Sequence, residues 1–338
     1  MARIALDAMG GDFAPQATVA GALLALAELD PAHTIQLVGR TSVVDAQLRG
    51  LLDGEFASHQ IYRDRISVVE APDVVEMTDK PSSAVRGKPN SSMAVGLRLQ
   101  ADGLSDAFVS AGSTGAQMAT SMVLLRLHAG LKRPAIATFF PSRKNTLVVL
   151  DSGANVDCSP EELLQFARLG ATYAECVMGR SNPAVGLLSI GEEPEKGNAV
   201  TKETHVLLKS SGLNFIGNVE GRDLPNGATE HDDIDVVVCD GFVGNVLLKF
   251  YEGIAPMMIE TLRKSGVDSE HLEEALKHLD YSEQGGAPLL GVKGVSIIAH
   301  GKSSPRAIKN ALKAAAQAVA SGMNDRIGER LAMAQSVA

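Results

Sequence analysis

The feature that most limits the fold is a set of short, almost unbroken apolar runs. ARIALD (2–7), TIQLVG (34–39), RISVVEA (65–71), AFVSA (107–111), AIATFF (135–140), TLVVLD (146–151), VGLLSI (185–190), IDVVVCD (234–240) and GVSIIAH (294–300) are rich in β-branched residues. Most do not alternate with polar residues, so such strands hide both faces, as in a parallel sheet covered by helices. Between them lie stretches of helical period: ATVAGALLALAEL (17–29), SSMAVGLRLQADG (91–103) and PEELLQFARLGATYAECVMG (160–179). Strands alternating with helices imply βαβ units, so the expected class is α/β with a doubly wound sheet. The 33 glycines suit tight strand–helix turns, and aromatics at only 4% argue against a sandwich with an aromatic core. No repeat or composition shift divides the chain, so 1–338 reads as a single α/β domain. The polar stretch 251–284 reads as a helical projection within it, broken near Ser265-Gly266.

Six of the nine runs end in a small-residue turn that opens a helix. These turns are DAMGGDFAP after 2–7, GSTG after 107–111, DSGANVDCSPEE after 146–151, GEEPEKGN after 185–190, DGFVGN after 234–240 and HGKSSPR after 294–300. Ligands of α/β sheets sit at the C-terminal ends of strands, where helix N-termini offer free N–H groups and a partial positive charge. The glycines are therefore expected to mark one edge of one sheet.

The turn Gly112, Ser113, Thr114, Gly115 combines close backbone approach with hydroxyl donors. It reads as a cradle for an oxyanion, most simply phosphate, or as an ordinary helix cap at Ser113 or Thr114. Ser304-Pro305 makes a good N-cap and N1 pair, and Lys302 before it either meets an anion or faces solvent. His300 is either a base or a structural residue ending a buried strand. Lys196 in EEPEKGN is a charge donor or part of a solvated turn. Asn155 and Asp157 orient a substrate oxygen or close an Asx turn. Asp240 and Asn245 stand at a strand end and helix start, where Asn245 donates to a thioester or phosphate oxygen or serves as a cap. Asp7, Asp12, Asp151, Asp157 and Asp240 either bind Mg²⁺ or pin loops by accepting backbone N–H bonds.

Several classes are excluded. A net charge of −9 with no basic, aromatic-laced stripe does not attract nucleic acid. Cys158, Cys176 and Cys239 form no CxxC pair, which points to a reducing cytoplasm. Asp7 comes too early for a signal peptide, and no apolar run approaches the ~18 residues of a membrane span. GxGxxG with a following acidic residue, GxxxxGK[ST] and GxSxG are all missing.

Taken jointly, DAMGGD, SAGSTGA, RPA (133–135), LDSGANVDC, SIGEE with KGN, GNVEGRD (217–223), CDGFVGNVLLK and GGAPLLGVKG with HGKS resemble the bacterial phosphate acyltransferases of phospholipid synthesis. The resemblance runs in order from residue 4 to residue 303. It implies transfer of a long-chain acyl group from acyl carrier protein to inorganic phosphate, giving an acyl phosphate consumed by a membrane glycerol-3-phosphate acyltransferase. It also implies a Rossmann-like fold related to isopropylmalate dehydrogenases and phosphotransacetylases, a homodimer and no organic cofactor. Two features depart from the family. Phe13 stands where a polar residue is common, and SGVDSEHLEEALKHLD is short and acidic where relatives carry a longer membrane-touching segment.

Phosphate is itself a nucleophile, so the expected chemistry needs no Ser-His-Asp set. Gly112, Ser113, Thr114 and Gly115 then hold the anion, Lys196 supplies charge and Asn245 orients the carbonyl, with His300 and Lys302 at the same edge. No metal ligand set is assigned. RLHAGLKRP (126–134) is the densest basic stretch and serves an acidic carrier, a dimer interface or a plain solvated turn, and the apolar face of YEGIAPMMIETL (251–262) suits a dimer interface or a bilayer. The expected location is cytoplasmic, with peripheral attachment to the inner membrane face. Two rivals remain: a metal- and NAD-dependent decarboxylating dehydrogenase of the same fold, and a non-catalytic acyl-carrier-binding scaffold.

Overall fold

The computed structural model describes residues 1–265 and 285–336. The acidic segment, and the expected projection beyond residue 265, lie outside the described residues.

The chain folds as two compact units, one of Met1–His128 and Ser282–Asn324, the other of Ala129–Tyr281 and Asp325–Ala338. The first begins with β1 (Arg3–Asp7), α1 (Gln16–Glu28), β2 (Thr34–Gly39), α2 (Thr41–Asp53), β3 (Ile66–Glu70), α3 (Pro81–Gly87), α4 (Ser92–Ala101), β4 (Ala107–Ser110) and α5 (Thr114–Leu124). The second comprises β5 (Ala135–Ile136), β6 (Thr138–Pro141), β7 (Thr146–Leu150), α6 (Pro160–Cys176), β8 (Val185–Leu188), α7 (Ala199–Lys209), β9 (Phe215–Val219), β10 (Val236–Val238) and α8 (Gly241–Lys264). The chain then returns to the first unit through β11 (Ala287–Leu290), β12 (Val295–Ile298) and α9 (Pro305–Ala320), and ends in α10 (Met323–Ser336).

The single sheet expected from the apolar runs is replaced by two. In the first unit the strands lie in the order β3-β2-β1-β4-β12-β11, with β11 antiparallel to β12 and the other pairs parallel. In the second the order is β6-β7-β10-β8-β9, with only β6 antiparallel to its neighbour. The six glycine turns divide evenly between them. Those after β1, β4 and β12 follow three adjacent parallel strands of one sheet; those after β7, β10 and β8 follow three adjacent parallel strands of the other. Parallel neighbours end at the same edge, so each sheet brings three turns together.

The burial pattern explains the unbroken apolar runs. Every residue of β4 and every residue of β10 is buried. The second core gathers Phe140, Leu147, Val149, Val219, Ile234 and Val237. Helix starts follow local chemistry. Ser159 and Glu162 form a reciprocal capping box at α6, with Pro160 at its first position. Ser304 caps α9 by accepting the Ala307 amide at 3.3 Å. Asp240 caps α8 by accepting the Val243 amide at 2.8 Å.

α8 is one continuous 24-residue helix that joins the DGFVGN turn to the segment assigned to the projection. Ser265 follows as its C-cap, at the position expected for the break. Among the described residues it is the one helix long and apolar enough, by length and composition, to cross a bilayer. Phe242, Val246 and Phe250, four residues apart, are 61%, 52% and 67% exposed and form an apolar stripe.

Candidate active site

In the first unit, the end of β1 meets the end of β4 through a buried carboxylate. Asp7 accepts the Ser110 hydroxyl at 2.7 Å and the Met9 amide at 3.1 Å. Ser110 Oγ in turn accepts the Gly112 amide at 3.0 Å. Burial pushes the Asp7 carboxyl above its usual range, while bonds from the Ser92 and Ser110 hydroxyls and the Met9 and Gly10 amides oppose the rise. Gly10 lies directly over this knot: a Cβ there would sit 2.6 Å from Asp7 Oδ2 and 2.9 Å from both Ser110 Oγ and the Gly112 nitrogen. Asp7 is thus a pin, the second of the two roles open to it in sequence. Ser110 escapes a sequence reading, because it looks like part of an apolar strand.

The GSTG turn begins from this pinned base. Gly112 is buried, Ser113 and Gly115 are half-buried and Thr114 is exposed. Ser113 occupies the N-cap position of α5, yet its side chain makes no cap hydrogen bond. The turn therefore presents a hydroxyl along with the first amides of α5, which have no partner within the helix. The HGKS turn joins the same group, since the Asp12 amide donates to the Gly301 carbonyl at 2.7 Å. His300 follows a buried strand but is itself exposed. Its Nδ1 accepts the Lys302 amide at 3.1 Å, so a neutral ring carries its proton on Nε2. Lys302 is exposed.

The second unit repeats the device. Asp151, at the end of β7, accepts the Ile136 amide at 3.0 Å, the Ala154 amide at 3.1 Å and the Asn155 amide at 2.6 Å. Burial raises its carboxyl, and these bonds pull against the rise. Asn155 donates its side-chain amide to Asp151 at 2.9 Å and to the Pro134 carbonyl at 2.8 Å. Both amide hydrogens are engaged inside the protein, so Asn155 fastens the loop. Its carbonyl accepts the Gly241 amide at 2.7 Å, which ties the loop to the start of α8. Gly241 is required by that approach, because a Cβ would lie 2.5 Å from the Asn155 oxygen. Asn245 is exposed one turn into α8, and a Cβ on Gly153 would come within 3.4 Å of its Oδ1. Asp240 is committed to the helix cap, and Asp157 is exposed.

Lys196 stands on the turn after β8, exposed and with no carboxylate partner among the described residues. The cysteines are poor nucleophiles here. Burial, with Asp151, Glu162 and Asp240 nearby, pushes the Cys158 thiol up to about 12. Burial raises Cys239 as well. Among the described residues, no group of three His, Cys, Asp or Glu side chains is placed to hold a metal.

The fold is that of the phosphotransacetylase-like α/β proteins. EutD phosphotransacetylase from Staphylococcus aureus matches over 94% of each chain with a TM-score of 0.61 at 16% identity. A branched-chain phosphotransacylase from Enterococcus faecalis matches over 94% of this chain and 99% of that one, with a TM-score of 0.62 at 16% identity. At such identity the likeness is one of fold alone. Sequence similarity is far closer elsewhere. A family profile described as "Fatty acid synthesis protein" matches residues 2–326. Proteins named "Phosphate acyltransferase" from Desulforamulus reducens and Pelotomaculum thermopropionicum are 47% and 48% identical. They align over 98% and 94% of this chain, and over 98% and 91% of their own lengths. The chain belongs to the phosphate acyltransferase family, and it is an acyltransferase of lipid synthesis. The family resemblance and the α/β class expected from the sequence both hold.

Proposed function

We propose that the protein transfers a long-chain fatty acyl group from acyl carrier protein to inorganic phosphate. An oxygen of HPO₄²⁻ attacks the thioester carbonyl carbon, a tetrahedral oxyanion forms, and the carbon–sulfur bond breaks. The phosphate proton passes to the departing pantetheine thiolate, so the products are acyl phosphate and free carrier thiol. Such attack requires the anion held about 3–3.5 Å from the carbonyl, and donors aimed at the developing charge.

One observation carries the reading: Ser113 holds the N-cap position of α5 without using its hydroxyl as a cap. On this account Gly112, Ser113, Thr114 and Gly115 grip phosphate, with Lys302 adding charge and His300 beside it. Lys196 offsets charge on phosphate or on the oxyanion, and Asn245 orients the carbonyl. Asn155 and Asp240 keep the orienting loops in place, and the exposed Asp157 orients a substrate oxygen. No organic cofactor takes part.

The apolar face of 251–262, with Met257 and Met258 exposed, suits a homodimer face, and the stripe of Phe242, Val246 and Phe250 extends it along α8. Peripheral attachment at the inner membrane surface places the acyl phosphate beside the membrane acyltransferase that consumes it. Of the basic stretch proposed to meet the acidic carrier, Arg133 already pairs with Glu162 at 3.2 Å, which leaves Arg126 and Lys132 as the carrier contacts.

The test is direct. Purified protein is mixed with palmitoyl-acyl carrier protein and phosphate, and acyl phosphate is trapped with hydroxylamine. Trapped product that depends on phosphate is expected. Release of carrier thiol without phosphate, or no release at all, rejects the proposal, and an NADH signal with a 2-hydroxy acid points to the dehydrogenase rival.

A further inference from the structure

The segment GNVEGRD (217–223) has no part in the chemistry above, yet it grips the loop that bears Lys196. Asn218 on β9 is 3% exposed and donates its side-chain amide to the Glu193 carbonyl at 2.8 Å. That same carbonyl accepts the Lys196 amide at 3.0 Å. A carbonyl oxygen has two lone pairs, so one atom joins the turn of Lys196 to the interior of the sheet. Behind Asn218, its Oδ1 lies 3.0 Å from Nδ1 of His205, which is also buried. Oδ1 has no proton to give, so His205 is the donor, and its ring is seated edge-on against Phe215 at 5.0 Å.

Two further contacts close the grip, and a third packs the loop upon itself. The Ser189 amide donates to the Val219 carbonyl at 2.9 Å, where the loop leaves β8. Arg222 reaches Glu192 at 3.4 Å, an exposed pair that guides more than it stabilises. The Lys196 stem lies over Gly191, where a Cβ would stand 2.8 Å from Lys196 Cγ. The inward aim of Asn218 has a backbone cause. Val185 pairs with Phe215 but Gly186 pairs with Gly217, so Ile216 is an extra residue in β9, a bulge that re-aims the side chains beyond it.

We infer that GNVEGRD is a brace for residues 190–198, and that Asn218, backed by His205, is a positioning residue acting through Lys196. The inference rests on the proposed role of Lys196. Asn218→Asp keeps the acceptor toward His205 but replaces the donor facing Glu193 with a second acceptor. With palmitoyl-carrier and phosphate as substrates, kcat is expected to fall on the order of 10- to 100-fold, as for a catalytic group displaced by about an ångström. KM for the acyl carrier is expected to stay within about twofold, since the donor-binding surface is not what the brace holds. Amide exchange over 190–198 is expected to quicken at least about tenfold while β7 and β10 remain protected. In a Lys196→Ala background, Asn218→Asp should add little further loss. Gly191→Ala displaces the lysine stem without burying a polar group. It should behave alike, and it serves if Asn218→Asp does not fold. Unchanged exchange over 190–198, or losses that multiply in the double variant, overturn the brace. Full activity in Lys196→Ala removes instead the catalytic role of that lysine, while the exchange measurement still judges the brace by itself.

Discussion

The Ser110 hydroxyl donates to the Asp7 carboxylate at 2.7 Å, with both side chains buried, and its oxygen also accepts the Gly112 amide at 3.0 Å. One hydroxyl thus links the end of β1 to the base of the GSTG turn. Ser110→Ala leaves Asp7 one donor short and the Gly112 amide unpaired in a dry place. We expect a loss of about 1–3 kcal/mol by denaturant titration. A rise in KM for phosphate larger than any change in KM for the acyl donor should accompany it. Equal shifts in both constants would mean that Ser110 only supports the fold.

Gly10→Ala tests the same knot from the other side. Its Cβ would meet Asp7 Oδ2 at 2.6 Å and the Gly112 nitrogen at 2.9 Å, neither of which can yield without breaking a buried bond. Overpacking of this kind costs about 1–3 kcal/mol. The variant should melt several degrees lower and lose phosphate-dependent turnover, both readable in one thermal and one kinetic series. A variant as stable and active as the parent would show that the knot gives freely.

The cysteines should be silent. With the Cys158 thiol at about 12 and Cys239 raised by complete burial, neither carries appreciable thiolate at neutral pH. Thiol-directed alkylation of the native protein should leave acyl transfer unchanged over the time in which unfolded chain is fully modified. Rapid inactivation that substrate prevents would bring back a covalent cysteine mechanism.

Acid stability provides a fourth check. Glu28 on α1 faces Lys309 at 2.7 Å and Lys313 at 2.5 Å on α9, and these donors lower its carboxyl from 4.5 to about 2. A folded value below the unfolded one gives stability that is full above pH 4.5 and is lost as pH falls toward 2. The side chain is 41% exposed, so screening reduces the contribution to about 0.5 kcal/mol. The gap in Tm between wild type and Glu28→Gln should therefore be present at pH 6, shrink below pH 4 and narrow in 1 M salt. A gap that does not change with pH would assign it to packing alone.

The sequence makes some of this legible and hides the rest for physical reasons. TIQLVG is β2 to the residue, because a strand buried on both faces writes itself as an apolar run. β9 escapes notice, since Gly217 and Asn218 interrupt FIGNV at the bulge. β11 escapes too, since Pro288 reads as a strand breaker. AIATFF looks like one strand and is two. The partition into two sheets leaves no local mark, because strands of either sheet have the same composition and pairing is set by distant partners. The glycine turns announce the edges of the sheets. The pins beneath them, Asp7 with Ser110 and Asp151 with Asn155, do not, since a carboxylate in a loop looks the same whether it faces a ligand or its own backbone.

The return of the chain to the first unit has a consequence for biosynthesis. β4 has β1 on one side and β12 on the other, and β12 is encoded some 185 residues later. While the ribosome is still working through that interval, β4 presents an unzipped flank. The strands built before Ser110 must then wait with that edge open until β12 has been synthesised.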